Sequence, residues 1–170
     1  MQRVYQTTSK RSQTHRRTAS HALTIRRARK SEAKKFLTLV DGLADFEKLK
    51  RPTHTARARL IKDGFGKHGR FDPYLAFLNG IPVGYAIIFE TYSSFLATPT
   101  LYLEDIFILP KHRHNGLGLK LFQYCVAEAK RRGCRRMEWV VLDWNKNAIK
   151  FYDKYGAKQM KQWLPFRLTL

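Results

Sequence analysis

The sequence predicts a mixed α/β domain whose sheet is partly antiparallel and partly parallel. Three observations carry this. Strand-like and helix-like segments follow one another in the order β, two helices, three strands, helix, strand, helix, strand. Two of the strand-like runs meet at Asn79-Gly80, a strong hairpin turn. Towards the C-terminus, strands alternate with helices.

Each element has its own signal. "LTIRRA", from Leu23, is a short strand, and Ser31 is placed to cap a helix carrying Phe36, Leu37, Val40 and Leu43 at helical spacing. "THTARARLIKDGFG" reads as a second helix, stopped by Gly64 and Gly66. "DPYLAFLNGIPVGYAIIFETY" holds the hairpin strands, and Pro82 suits a strand start. "TLYLEDIFIL" is largely apolar and is expected to be central. After Gly116 and Gly118, residues Leu117, Leu121, Phe122, Cys125, Val126 and Ala129 share one helical face, which Gly133 ends. "RRMEWVVLD" reads as a strand and "NKNAIKFYDKYG" as a short helix closed by Gly156. "KQMKQWLPFRLTL" is expected to supply one or two last strands. There is no internal repeat.

Size and composition bound the function. The 170 residues suit one ordinary domain, and 44% hydrophobic residues suffice for a core. No apolar run approaches a membrane span, so no membrane partner is expected. Cys125 and Cys134 form no disulfide framework and lack metal-ligand spacing; they fit a reducing, cytoplasmic setting. The formal net charge of +20 attracts anions such as nucleotides, RNA, acidic proteins or lipid head groups. No acidic residue precedes Glu32. Residues 1–22 are rich in Ser, Thr, Gln and Arg and read as a basic flexible arm. An ordinary solvated tail is favoured over a transit peptide or a weak electrostatic nucleic-acid contact. Residues 23–170 are expected to form the domain.

The run Arg113-His114-Asn115-Gly116-Leu117-Gly118 lies between a strand and a helix. A helix start exposes unpaired N–H groups and partial positive charge, which suit phosphate oxygens. A plain turn with glycines at its corners is the alternative reading. A third glycine at dinucleotide spacing and a Gly-Lys-Ser/Thr triplet are both lacking. His112 and His114 are expected to be solvated, and no metal is expected.

Strand, then R/Q-x-x-G-x-G/A, then a long helix resembles the acyl-CoA site of the GNAT acetyltransferases; here it reads "IFILPKHRHNGLGLKLF". "DGFG", "TYSSFLATPTLYLED", "VVLDWN" and "FYDKYGA" narrow the resemblance to the diamine and polyamine acetyltransferases and the thialysine Nε-acetyltransferases. The resemblance covers the chain from about Leu23 onward. It implies a single GNAT-type domain, acetyl-CoA as cosubstrate, a small-molecule primary amine as acceptor and a homodimer. It implies that Ile106, Phe107 and Ile108 offer strand backbone to the pantetheine arm. Arg113, His114, Asn115, Gly116, Leu117 and Gly118 would cradle the pyrophosphate, and Asn145 would face the cofactor. Tyr152 would protonate the departing thiolate. Glu104 would accept a proton from the amine or hold its ammonium group. Phe46, Glu47, Tyr92 and Asp105 complete the expected substrate set, with a solvated Glu47 as the alternative at the end of its helix.

Chemistry supports a carboxylate and a phenol in such a site. An alkylamine is mostly protonated at neutral pH and attacks a thioester only as the free base. A phenol is neutral there and can donate. Strand alternation is expected to send Glu104 and Asp105 to opposite faces, so that one of them meets the substrate directly; the resemblance favours Glu104, and a structural hydrogen bond or salt bridge is the alternative reading for Asp105. The polyamine-specific relatives carry an acidic residue after the Tyr of the "TY" stretch, whereas Ser93 and Ser94 follow Tyr92 here. That favours short diamines or lysine-like amines over spermidine or spermine. Two further readings stand beside this one: acetylation of a protein or peptide amine, and nucleic-acid binding on the same fold.

Overall fold

The computed structural model describes residues 22–169, so the expected basic arm lies outside the described residues except for Ala22. The elements are β1 (Leu23–Arg27), α1 (Ala33–Glu47), α2 (His54–Phe65), β2 (Asp72–Leu78), β3 (Ile81–Ser93), β4 (Thr98–Ile108), α3 (Leu117–Arg131), β5 (Arg136–Glu138) and α4 (Lys146–Lys154). One five-stranded sheet runs in the order β1-β2-β3-β4-β5. Its first three pairings are antiparallel and β4–β5 is parallel. The mixed sheet expected from the sequence is therefore present.

Helices cover both faces. On one, α1 and α2 press Phe36, Leu37, Leu39 and Phe65 against Leu75, Phe77, Tyr85, Ile87 and Phe107. On the other, α3 lays Leu117, Leu121, Phe122, Cys125 and Ala129 on Ala86, Ile88, Leu101, Leu103 and Ile108. The helical and two-residue periodicities of the sequence generate this three-layer packing.

Local chemistry fixes the helix starts. Thr53 Oγ1 accepts from the Ala56 N–H at 3.2 Å and caps α2. Ser31 does not cap α1. It lies inside a 3₁₀ turn (Lys30–Glu32), and the Glu32 carboxylate accepts from the Arg29 N–H at 2.9 Å. Glu32 also takes both guanidinium nitrogens of Arg26, which holds its carboxyl down at about 2.

Three expectations about strands need correction. The register of β3 against β4 slips between Ile87 and Ile88: Asp105 faces Ile87 and Leu103 faces Ile88, which leaves Glu104 as an extra, bulged residue. Before the slip, Leu101 and Leu103 point to the α3 face; after it, Ile106 and Ile108 do. The bulge thus puts Glu104 and Asp105 on one face, not two.

β5 stops at Glu138 instead of running through "WVVLD". Its register ends at Tyr102↔Glu138, just where the bulge bends β4 away. The segment after α4 forms no strand among the described residues. It has no long β5 edge to join, and Pro165 removes a backbone donor from its middle. Phe166 is left 93% exposed, beside exposed Trp163, Leu164 and Leu168.

Candidate active site

The parting of β4 from β5 creates the site. From Leu103 onward, β4 pairs only with β3 among the described residues, so its other edge opens into a wedge. Ile106, Phe107 and Ile108 line that edge. The segment from Val140 to Asn145 bounds the far side, with Val140 and Trp144 exposed.

The end of α1 closes the wedge. Phe46 packs on Trp144 with ring centroids 5.7 Å apart. The Arg113 guanidinium lies 4.4 Å from the Phe46 ring centroid and 5.5 Å from that of Phe107. Its Nε donates to the Ile108 carbonyl at 2.9 Å, and desolvation lowers its pKa. Arg113 therefore folds back over the strand end, besides opening the glycine loop.

The loop itself has the form an anion needs. The N–H groups of His114, Asn115, Gly116, Leu117 and Gly118 find no acceptor among the described residues. His114 and Gly116 take positive φ (67° and 72°), which aims the turn into α3. These donors sit at the N-terminus of a 15-residue helix, whose dipole adds to them. Asn145 caps α4 instead of standing free: its Oδ1 accepts from the Ala148 N–H at 3.2 Å.

Carboxylates gather on the α1/α2 face. Glu104 and Asp105 are brought together by the bulge, and Glu47 reaches them from the end of α1. Asp105 Oδ2 accepts from the Tyr85 hydroxyl at 2.9 Å. Burial, with the charges of Glu104 and Glu47, pushes the Asp105 carboxyl up to about 6, although the Tyr85 bond pulls it down. Burial raises Glu47 as well. Tyr85 was not singled out by sequence reasoning; it reads as any apolar-run aromatic, and only its strand register places it opposite the cluster.

Two expected residues stand apart from this group. Tyr92 pairs with Pro99 at the far end of the β3–β4 hairpin and is 68% exposed. Tyr152, on α4, packs against Trp139, Phe122 and Phe151 on the α3 side. Burial pushes its phenol up to about 12, so it stays neutral. Its hydroxyl bonds to nothing among the described residues, and the residue is only half-buried. His112 and His114 join no group of three metal-ligating side chains among the described residues.

The chain's likeness to known proteins agrees with this architecture. The family model described as the acetyltransferase (GNAT) family matches residues 26–157. A thialysine N-epsilon-acetyltransferase of Mus musculus is 33% identical over 154 residues, covering 84% of this chain and 90% of that protein. An L-ornithine N5-acetyltransferase of Arabidopsis thaliana is 43% identical over 93 residues, covering 54% of this chain and 41% of that protein. Among solved structures, an aminoglycoside N-acetyltransferase in complex with CoA superposes with a TM-score of 0.74 at 18% identity, over 90% of this chain and 99% of its own. That last likeness concerns the fold. The open β4 edge, the unpaired loop donors and the match over most of the domain lead to one assignment: the chain belongs to the GNAT acetyltransferase family.

Proposed function

We propose that this amine N-acetyltransferase acts on a primary amine of a small, multiply charged cation of the thialysine, ornithine or short-diamine type. One observation carries the reading. In a chain with 33 Lys and Arg, most carboxylates are held by an arginine. Glu47, Glu104 and Asp105 form no ion pair among the described residues, although they crowd one another. Three clustered carboxylates with no cationic partner among the described residues leave room for one from outside.

The residues fit acetyl-CoA. Its phosphates suit the five unaccepted N–H groups of His114 to Gly118, and an extended pantetheine arm suits the free edge at Ile106, Phe107 and Ile108. When bound, it supplies the activated acetyl group. Asn145 would reach it through its Nδ2, since its Oδ1 is taken by the cap. The carboxylates orient the ammonium and relieve it of a proton, and Tyr152 donates to the departing sulfur. Phe46, between Arg113 and Trp144, closes the wedge against water. Tyr92 is too far along β3 to touch the same atoms: it lies five strand positions, roughly 16–17 Å, from Ile87, the partner of Asp105.

Ser93 supports the preference for a short cation. It is buried, and its Oγ accepts from the Leu96 N–H at 3.3 Å, which makes it a turn residue. A thiol-release assay with acetyl-CoA tests the reading. Turnover is expected with thialysine, ornithine or putrescine at kcat/KM at least about tenfold above spermidine, the order of one missing charge contact. Tight acetyl-CoA binding without turnover of any small amine would move the acceptor to a protein amine.

The same reading includes a cytoplasmic homodimer. Free Cys125 and Cys134 suit a reducing compartment. No helix among the described residues is long and apolar enough to cross a membrane. The exposed Trp163, Leu164, Phe166 and Leu168 make an apolar strip that a second copy would cover. Light scattering is expected to give a dimer for the intact chain and a monomer for Trp163→Ser/Phe166→Ser; an unchanged mass would place the contact elsewhere. Any contact of the basic arm with nucleic acid is expected to be weak and to vanish with salt.

A further inference from the structure

Resting on the amine-acetyltransferase reading, we infer that Asp105, fixed by Tyr85, takes the proton from the incoming ammonium, while Glu104 and Glu47 hold the cation beside it. The β4 bulge puts Asp105 on the same face as Glu104, where Glu47 joins them. The two Asp105 oxygens then differ. Oδ2 is taken by the hydroxyl of Tyr85, a wholly buried side chain, at 2.9 Å. Oδ1 has no partner among the described residues, and Asp105 is only half-buried. A short carboxylate pinned through one oxygen presents the other in a single direction, as a proton acceptor requires. Glu104 is longer, exposed and makes no hydrogen bond among the described residues, so nothing holds it in one orientation.

The surrounding charges fit the assignment. Tyr85 faces Asp105 from β3, Glu104 from its own strand and Glu47 from α1. Arg113 is engaged with the Ile108 carbonyl and the rings of Phe46 and Phe107, so it does not neutralise the cluster. Pushed up to about 6, the Asp105 carboxyl is still ionised at neutral pH, yet a stronger base than an ordinary carboxylate.

The proton count closes. One N–H proton of the ammonium passes to Asp105 Oδ1 and frees the nitrogen lone pair. The nitrogen forms its bond to the acetyl carbon, and the carbon–sulfur bond breaks with its electron pair on sulfur. Tyr152 gives its proton to that sulfur and recovers one from the second N–H. The third proton stays on the amide, and Asp105 releases its own to solvent.

The test combines variants with pH profiles on the full chain. Asp105→Asn is expected to lower kcat about 100- to 1000-fold with a small change in amine KM. Glu104→Gln is expected to show the opposite split, a raised KM with kcat reduced less. Tyr85→Phe removes the donor that pulls Asp105 down, so the acidic limb of kcat/KM should move to higher pH. This variant decides the matter if Asp105→Asn does not fold. A substrate-free readout is infrared titration: one carboxyl should titrate near pH 6 in the wild type and vanish in Asp105→Asn. An active wild type whose Asp105→Asn variant keeps kcat, or loses only KM, overturns this inference alone. A wild type that turns over no amine overturns the function reading and this step with it.

Discussion

Tyr152→Phe is expected to lower kcat about 100- to 1000-fold while leaving acetyl-CoA affinity within about twofold, a loss of roughly 3–4 kcal/mol of transition-state stabilisation. The phenol stands on α4 with its ring fixed by Trp139, Phe122 and Phe151, at centroid distances of 4.8, 5.7 and 5.3 Å. Phenylalanine keeps those contacts, so the fold should hold. What disappears is one hydroxyl, on a half-buried residue, that has no partner among the described residues. Burial pushes that phenol up to about 12, so at neutral pH it is fully protonated, the form the proposed acid role requires. A structural phenol would instead carry a hydrogen bond, and its loss would appear in stability. Steady-state kinetics, calorimetric titration of acetyl-CoA and a melting curve separate the two. A kcat within twofold of wild type would remove the acid role.

Much of the fold was legible because it follows from period and punctuation. Apolar spacing at 3.6 residues placed α1 and α3, and Asn79-Gly80 placed the β2–β3 hairpin. The loop from Arg113 to Gly118 was legible for the same reason: glycines between a strand and a helix leave few other conformations. The carboxylate cluster was harder. Alternation predicts opposite faces for Glu104 and Asp105, and only the register slip opposite Ile87 and Ile88 reverses it. Nothing local announces that slip. Glu47 arrives from an element more than fifty residues away, and Tyr85 gains its meaning only from the strand it pairs with. The last strand failed because a strand needs an edge, and β5 offers three residues of it.

Gly84 shows how the same strand pair is tuned for the site, and Gly84→Ala is expected to cost about 1–3 kcal/mol of stability and to weaken acetyl-CoA binding together. Gly84 pairs with Ile108, at the strand end that borders the open wedge. A methyl group there would fall 2.5 Å from the Phe107 carbonyl oxygen and would overlap the Ile108 Cδ1 atom. The Ile108 side chain can turn away, but the carbonyl belongs to the β4 backbone and cannot. The strands must part by several tenths of an ångström, which pushes Phe107 and Ile108 into the wedge where the pantetheine arm is expected. An isolated glycine inside a strand pattern is the sequence signal for such close approach. A fall in melting temperature of roughly 3–10 °C is expected for a chain of this length, with a matching rise in the acetyl-CoA Kd. A stability loss with Kd unchanged would detach the Phe107–Ile108 edge from cofactor binding. An unchanged melting temperature would mean that the two strands have slack beside Gly84.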